Sequence, residues 1–410
     1  PNSAASKTTH APRMKKILIA NVGSTSYKNT LFEISDSGEC AELFRSGMER
    51  VSDFESAIGE SLGALEKAGF SPDSFDAVAF KTVLGKNLSG LREAGGEVLE
   101  ALEAMSFVAP AHNPPYAAAI RAFEKLLPRA RRIALFETSF FQWATPEWKR
   151  YAVPKAWDEA GIRRNGFHGA SHKYAAERAA ELCGRADAAE SAKNLYVSGG
   201  PAALEKPFRL VNCHLGGSSS VCGILDGAAA GSSMGFSPQS GLPQNNRVGD
   251  LDPMAVSYAV RALGISEAEA LRQLSKESGL LGISGVSNDA RDIEAAAEGG
   301  NAEARLALKT LCHSARGYIG TFAANLGGLD AISFSGGIGE NSPSLRAEIL
   351  EPLRFMGVEI DPEKNAECVG KREGLISTPS SKIKIAVISA NEEIVIAREA
   401  AKLLSKKPNI

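Results

Sequence analysis

The stretch "RLVNCHLGGSSSVCGIL" (209–225) places a Gly/Ser tract between two apolar runs and ends the first run on Asn212, Cys213 and His214. The apolar runs are typical of β-strands, and the tract between them is typical of a turn. Three interpretations are open at this point: an ordinary hairpin turn, a flexible linker, or a loop that binds a ligand.

A second stretch near the N-terminus, "KKILIANVGSTSYKNTLFEI" (15–34), repeats this pattern. When Asn21 is set against His214 and Gly23 against Gly216, both stretches read as strand, polar residue, glycine, Ser/Thr tract and strand, at an offset of 193 residues. Such a repeat predicts two similar domains. Small residues let the main chain approach a ligand closely, so two such turns facing each other across a cleft would offer N–H groups to the phosphates of one nucleotide.

Length and composition predict a globular protein of two or three domains. The chain has 410 residues, of which 44% are hydrophobic and 23% charged, with a net charge of −2. A net charge this small produces no overall electrostatic field that would attract nucleic acid or an anionic membrane, so we expect neither as a partner. No apolar run reaches the ~18 to 20 residues of a membrane span.

The N-terminal segment and the cysteines indicate a cytoplasmic protein. Residues 1–16 lack the apolar core of a signal peptide, and Met14 resembles a natural start, which would make residues 1–13 a disordered tail or a cloning remnant. The six cysteines show no Cys-x-x-Cys spacing, so we expect reduced thiols rather than a zinc site or a disulfide framework.

Helical and strand patterns alternate along the chain, which predicts an α/β fold with mixed sheets. The predicted helices cover 54–69, 172–184, 301–328 and 392–407, and the predicted strands between them cover 76–80, 132–136, 331–335 and 384–389. The Pro- and Trp-rich segment 143–157 has no clean period and suggests a domain crossover. We therefore expect an N-terminal domain over 14–148, a second, nucleotide-binding domain over 149–390, and a C-terminal helix (391–410) that returns to the first domain.

Four further residues point to chemistry, each with an ordinary alternative. Arg247 lies in a Gly-, Pro- and Asn-rich segment (233–253) and is either a surface arginine or part of a functional loop. His168 and His172 are four residues apart, a spacing that suits a metal pair, but no third ligand is identifiable and a histidine that donates to phosphate fits better. Glu392 opens a helix after a strand, where a carboxylate favours the helix dipole or binds Mg²⁺.

Together these segments resemble the acetate kinase family of the actin-like ATPase superfamily, from about Ile17 to Leu404. The resemblance is carried by "HNPP" (112–115), "GIRRNGFHGASH" (161–172), "CHLG" (213–216), "SMGFSP" (233–238), "SGLLGISG" (278–285), "GGIGENS" (336–342) and "NEE" (391–393). It implies two actin-like (ribonuclease H-like) domains with ATP and Mg²⁺ in the cleft between them, reversible transfer of the γ-phosphoryl group to a carboxylate, and a homodimer.

The resemblance also implies roles for individual residues. Asn21 and Glu392 fall on metal-positioning residues, His168 on the γ-phosphate-binding histidine and Arg247 on the transition-state arginine. The implied nucleotide contacts are Ser24, Ser26, Lys28, His214, Gly216, Asp289, Arg291, Gly337 and Ile338. The implied acceptor contacts are Lys81, Val83, Ala111, His112, Phe167 and Pro238, and the acidic position of the catalytic set is Glu137.

The sequence departs from the family pattern in four places, three of them on the acceptor side. Lys81 replaces an arginine, Glu137 replaces an aspartate, and Ala111 replaces a leucine that lines a small acyl pocket. In the fourth place, Gly-Asn-Gly of the second phosphate loop becomes Gly-Gly-Ser (216–218), and Met-Gly-Thr-Arg becomes "QNNR" (244–247). A lysine does not reproduce the bidentate fork of an arginine.

These departures lead to three hypotheses. The first is a carboxylate kinase, making an acyl phosphate, whose acceptor is larger or more polar than acetate. The second is a kinase of a hydroxyl metabolite with Glu137 as general base. The third is a weakened, regulatory nucleotide-binding protein, which the retention of Asn21, His168, Arg247 and Glu392 disfavours.

Overall fold

The computed structural model describes residues 14–35 and 38–405. The predicted N-terminal tail, residues 1–13, lies outside the described residues, as do residues 406–410 at the end of the predicted C-terminal helix. Within the described ranges no helix is both long enough and apolar enough to cross a bilayer.

The chain divides into two compact units, each with its own mixed six-stranded sheet. Unit 1 contains the described residues up to Phe136 and those from Glu393 onward, and unit 2 contains Glu137–Glu392. The strands are β1 (Lys15–Val22), β2 (Ser26–Ile34), β3 (Cys40–Glu49), β4 (Ala77–Thr82), β5 (Leu91–Glu93), β6 (Arg131–Phe136), β7 (Arg209–His214), β8 (Ser220–Leu225), β9 (Ala228–Ser232), β10 (Ala331–Ser335), β11 (Gly374–Leu375) and β12 (Lys384–Val387). The predicted α/β class with mixed sheets is confirmed.

Helices flank both sheets. They are α1 (Phe54–Lys67), α2 (Gly96–Ala104), α3 (Asn113–Leu126), α4 (Pro146–Lys149), α5 (Lys155–Glu159), α6 (Gly169–Leu182), α7 (Ala186–Ser198), α8 (Pro253–Leu263), α9 (Glu267–Lys276), α10 (Gly279–Ser284), α11 (Ala290–Glu298), α12 (Ala302–Asn325), α13 (Gly336–Asn341), α14 (Pro343–Leu350), α15 (Pro362–Glu367) and α16 (Glu392–Ser405). Short 3₁₀ segments cover Pro72–Ser74, Ser139–Phe141 and Glu351–Met356.

The two sheets share one topology. Their strand orders are β3-β2-β1-β4-β6-β5 and β9-β8-β7-β10-β12-β11. In each sheet the first three strands form an antiparallel meander, the next two run parallel, and an antiparallel strand closes the edge. The hairpins predicted at 15–34 and 209–225 are β1–β2 and β7–β8, and they occupy the same place in the two sheets.

The unit 2 sheet is covered on both faces, and strand alternation assigns its side chains to one face or the other. Val211, Cys213 and Phe334 pack with α12 on one face. Leu210 and Ile224 pack with the alanine-rich helices α6 and α7 on the other. Along this second face the buried residues change from apolar to polar toward the carboxyl ends of β7 and β10, which is where the site lies.

Helix α6 contains an ion pair inside the core. Lys173 and Glu177 have side chains only 1% and 3% exposed, with Nζ 2.6 Å from Oε1. Lys173 Nζ also lies 5.4 Å from the ring centroid of Tyr196 on α7. A buried ion pair stabilises the fold only while both charges are present, because the attraction between them offsets the free-energy cost of removing each charge from water.

We therefore expect Lys173→Met to lower the free energy of unfolding by about 3 to 5 kcal/mol, because the buried Glu177 carboxylate loses the cation that pairs with it. The double variant Lys173→Met/Glu177→Leu should recover most of this loss. Urea unfolding followed by circular dichroism measures both. The matched control is Lys125→Met, which breaks an exposed pair with Glu55 and should cost at most about 1 kcal/mol. A double variant as unstable as the single one would contradict the expectation.

Candidate functional site

Two glycine turns lie against each other at the carboxyl ends of β7 and β10, which pair in parallel. Leu215 N–H donates to Ser335 O at 2.8 Å, and Leu215 O accepts from Ile338 N–H at 2.9 Å. Gly336 has φ +77°, and a Cβ there would lie 2.7 Å from Leu215 O. Glycine is thus required both for the backbone conformation and for the close approach of the two turns.

A cavity of about 710 Å³ opens beside these turns. It is lined by Gly216, Gly217, Asn245, Asn288, Asp289, Ala290, Arg291, Glu294, Gly337, Ile338, Asn341 and Ser342. Five of the nine predicted nucleotide contacts, Gly216, Asp289, Arg291, Gly337 and Ile338, are therefore brought together from three separate motifs. Its volume is in the range of cavities that hold small molecules and cofactors.

At the rim of the cavity, Asp289 caps the N-terminus of α11 by accepting from Arg291 N–H at 2.9 Å. The Arg291 guanidinium also bonds this carboxylate, which together with the backbone bond lowers the pKa of Asp289 to about 2. The arginine side chain is 87% exposed, so it is able to reorient toward a ligand.

Arg247 is held at the other side of the turn after β7. Its Nη1 donates to Ser218 Oγ at 3.2 Å and to Gln244 Oε1 at 3.4 Å. Burial lowers the pKa of Arg247, yet an arginine remains protonated in proteins. Among the described residues no carboxylate lies within ion-pair distance of this guanidinium, so an anionic ligand would complete its environment.

Three histidine rings cluster between α6 and the ends of β7 and β8. The ring centroids of His168 and His214 are 4.4 Å apart, and those of His168 and His172 are 6.3 Å apart. His168 has φ +59°, an unusual backbone conformation for a residue other than glycine, at the N-cap of α6. In the described part of the chain, no three His, Cys, Asp or Glu side chains are arranged to hold a metal ion.

Glu137 is placed next to the histidine cluster by the backbone. Its carbonyl oxygen accepts from Gly169 N–H at 3.0 Å, and a Cβ on Gly169 would lie 2.3 Å from that oxygen. Glu137 is 6% exposed and Phe167 is 2% exposed. Pro238 lies on the Arg247 side, where its carbonyl oxygen accepts from Gln244 Nε2 at 2.6 Å. Within unit 2, the predicted catalytic residues Glu137 and His168 are therefore neighbours.

Within unit 1, the predicted acceptor residues follow the carboxyl end of β4 and the start of α3. Lys81 and Val83 lie at the end of β4 and just beyond it, and Ala111 and His112 directly precede α3. The buried Asn113 joins these segments, because its Nδ2 donates to the carbonyl oxygens of Leu84 at 2.8 Å and Leu102 at 2.9 Å. One buried amide thus fixes the segment after β4 to the start of α3.

The remaining predicted residues lie on the β1–β2 hairpin and at the start of α16. Asn21 pairs with Lys28 in the hairpin, Ser24 lies in its turn, and Ser26 is the first residue of β2. Lys28 Nζ lies 3.2 Å from Glu49, in an exposed pair that is easily opened.

The predicted metal residues, Asn21 and Glu392, belong to different units. An amide and a carboxylate supply oxygen ligands, which suit Mg²⁺ when phosphate oxygens and water complete its shell. Beside Glu392, Glu393 is engaged within unit 1, where it accepts from Thr30 Oγ1 at 2.9 Å and pairs with Arg45 at 2.9 Å.

Sequence reasoning missed several residues that build the site. Ser218 and Gln244, which we counted only as departures, bond to each other at 2.7 Å and together hold Arg247. Glu340 accepts from the N–H groups of Gly336 and Ala390 at 2.9 and 3.0 Å, and so ties the turn after β10 to the segment before Glu392. Burial raises the pKa of Glu340. The sequence did offer one sign of this, because both loop departures from the family pattern introduce polar side chains, Ser218 and Gln244.

Comparisons with known proteins agree with this geometry. A sequence model described as "Acetokinase family" matches residues 50–398. The chain is 38% identical to an acetate kinase of Geobacillus sp. (strain WCH70), over 95% of this chain and 99% of the relative. Among solved structures, an acetate kinase of Porphyromonas gingivalis superimposes with TM-score 0.79 at 31% identity, covering 95% of this chain and 100% of that chain. A propionate kinase of Francisella tularensis superimposes with TM-score 0.80 at 29% identity, covering 94% and 99%.

Proposed function

The chain belongs to the acetokinase family, and on that premise we propose that it transfers the γ-phosphoryl group of ATP to a small carboxylate larger or more polar than acetate. It is a phosphotransferase that uses ATP and Mg²⁺. The product is an acyl phosphate. We also propose a cytoplasmic location, since all six cysteines lie in the described part of the chain and are free thiols.

The observation that carries the proposal is the environment of Arg247. This guanidinium is largely desolvated and fixed by neutral partners, Ser218 and Gln244, rather than by a carboxylate. A fixed cation that has no counter-ion among the described residues, beside a glycine turn and a cavity of nucleotide size, suits a transferring phosphoryl group.

The chemistry requires placement rather than proton transfer. A carboxylate acceptor is ionised near neutral pH, so one of its oxygens forms a bond to the γ-phosphorus while the bond to the oxygen bridging to ADP breaks, and no base is needed. Charge spreads over the three equatorial phosphoryl oxygens, which Arg247 and His168 stabilise in this proposal. Mg²⁺ held through Asn21 and Glu392 would neutralise phosphate charge.

The acceptor class rests on Lys81, Ala111 and Glu137. Ala111 replaces a bulky leucine of the family pattern and leaves space for a longer chain. The ammonium group of Lys81 is a compact cation that cannot bind bidentately as an arginine does. It therefore restricts the orientation of a polar or branched substituent less strictly. Glu137 extends its carboxylate one methylene further from the main chain than an aspartate would.

We expect hydroxylamine trapping of acyl phosphate, with ATP and Mg²⁺, to detect carboxylates of three to six carbons, including hydroxylated ones, with kcat/KM at least about tenfold above acetate. The reason is that one methylene in an apolar pocket is worth about 10- to 200-fold. If acetate is the best acceptor, the acceptor class is wrong but the carboxylate kinase stands. If only hydroxyl compounds are phosphorylated, the carboxylate assignment itself is wrong.

Replacing Lys81 tests the acceptor side directly. Lys81→Arg restores a planar fork and should shift the ratio of kcat/KM for acetate against the best acceptor by about tenfold toward acetate. The matched control is Lys86→Arg, at an exposed position five residues further on, which should leave this ratio unchanged. An unaltered acceptor profile in Lys81→Arg would remove Lys81 from the acceptor site.

The family resemblance also supports a homodimer, and α8 offers a surface for it. None of its residues is buried, and Met254, Tyr258 and Leu263 are 66 to 74% exposed. Isolated exposed apolar residues are common, but three large ones on a single helix favour a protein contact.

We therefore expect light scattering to give twice the chain mass of 43.2 kDa, because these side chains would be covered by a second copy. Tyr258→Glu should reduce the mass to that of one chain, since it places a charge in the contact. The control is Phe355→Glu, at another exposed aromatic residue of unit 2, which should leave the dimer intact. A dimer that persists in Tyr258→Glu would exclude this face as the interface.

A further inference from the structure

A chain of buried hydrogen bonds runs through unit 2 and ends on His168. Ser333 Oγ donates to Asn212 Oδ1 at 2.8 Å, and Asn212 Nδ2 lies 2.8 Å from His172 Nδ1. His172 Nε2 lies 2.7 Å from Ser220 Oγ, which in turn lies 2.8 Å from His168 Nδ1. Every member before His168 is fully buried, with Ser333, Asn212, His172 and Ser220 all 0% exposed.

The fold sets this order of residues. Asn212 is opposite Ser333 in the parallel pairing of β7 with β10, and Ser220 is the first residue of β8. Strand alternation points these three side chains to the face that α6 covers, and His172 comes from the first turn of that helix. Four secondary-structure elements thus meet in one polar row, in which a buried group without a partner would be costly.

The chemistry of the groups gives the row a direction. Because Asn212 Oδ1 accepts from Ser333, its Nδ2–H₂ faces His172, whose Nδ1 must accept. Burial lowers the pKa of His172 well below 6.5, so the ring is neutral, and its single ring hydrogen is then on Nε2, where it donates to Ser220 Oγ. Ser220 has one hydrogen of its own left, which it donates to His168 Nδ1. A neutral His168 must consequently carry its hydrogen on Nε2.

We propose that Ser333, Asn212, His172 and Ser220 are positioning residues that fix the Nε2–H tautomer of His168, so that this ring presents a hydrogen-bond donor to the transferring phosphoryl group. The inference rests on the proposed function for the identity of that acceptor group, but the tautomer itself does not depend on it. If the row ran in the opposite direction, His168 would carry its hydrogen on Nδ1 and would turn a lone pair toward phosphate oxygens.

The neighbouring His214 provides a contrast. Its Nδ1 lies 2.7 Å from Ser171 Oγ. A serine hydroxyl is able either to donate or to accept, so this contact alone leaves the tautomer of His214 open.

The test is two-bond ¹H–¹⁵N correlation spectroscopy of full-length protein labelled with ¹⁵N-histidine. The chain has only six histidines, and loss of one signal set in His168→Gln assigns that ring. We expect wild-type His168 near neutral pH to show a protonated Nε2 and an unprotonated Nδ1. A wild-type spectrum with the hydrogen on Nδ1 would overturn the proposal.

Asn212→Asp reverses the row without changing its shape. When His172 is neutral, the carboxylate accepts from His172 Nδ1–H, so His172 Nε2 must accept from Ser220, and Ser220 Oγ must accept from His168 Nδ1–H. We expect the hydrogen of His168 to move to Nδ1 and kcat to fall by about 100-fold, the effect of losing one transition-state donor. A folded Asn212→Asp variant in which the ¹⁵N spectrum shows a neutral His172 and an unchanged His168 tautomer would overturn the proposal, because a purely structural asparagine would not influence the ring at all.

Ser220→Ala is a second test in case the buried carboxylate of Asn212→Asp prevents folding. Without the bridging hydroxyl, His168 should populate both tautomers, with ¹⁵N shifts between the two limits, and kcat should fall by about tenfold. The matched control is Ser232→Ala, which removes a buried hydroxyl from neighbouring β9 and should leave the His168 tautomer unchanged. Unchanged tautomers in both serine variants would also overturn the proposal.

The two levels of inference fail separately. If wild-type protein makes no acyl phosphate, the proposed function fails, while the spectra still report whether the row controls His168. If wild-type protein makes acyl phosphate and the Asn212→Asp tautomer does not move, only the control of His168 is excluded.

Discussion

The parallel pairing of β7 with β10 is the constraint on which the site depends. It sets His214 opposite Ser335 and Asn212 opposite Ser333, and the two glycine turns that follow these strands then lie in backbone contact through Leu215. Because hydrogen bonds between main-chain groups fix the turns, their position depends little on the side chains they carry. The cavity beside them is therefore a consequence of sheet topology, as expected at the carboxyl ends of parallel strands.

One face of the same sheet changes its chemistry along the strands. On the α6 side, β7 presents Leu210, then Asn212, then His214, so the face is apolar at one end and polar at the other. The apolar end packs with the alanines of α6 and α7 and stabilises the fold. His172 and His168, at the start of α6, lie against the polar end. The packing of this one helix on the sheet therefore also assembles the histidine cluster.

Much of the fold was predictable because it rests on local patterns. The strands 131–136, 331–335 and 384–387 lie where apolar runs predicted them, and the β7–β8 hairpin was readable from its glycine turn. Arg247, His168 and the glycine turns were recognisable as candidates from their motifs. Their partners were not, since Ser218 and Gln244 are 26 residues apart, and only tertiary structure joins them. In the sequence, Asn212 and Ser333 look like ordinary polar residues in strands. Their hydrogen bond is evident only from the strand register, which places them side by side.

Some parts of the candidate site are fixed by main-chain contacts and others depend on individual side chains, and this difference explains where the chain departs from the family pattern. The region proposed to bind the phosphoryl group is built from main-chain contacts and a buried polar row, and it holds Arg247 through Ser218 and Gln244, which stand in place of the family residues. In the proposed function the acceptor side consists of individual side chains, such as Lys81 and Ala111, and the segments that carry them are joined separately by Asn113. On this proposal, a change at Lys81 or Ala111 would alter which acceptor binds without disturbing the contacts of Asn113. The proposed function thus allows the choice of acceptor to change while the phosphoryl chemistry stays constant.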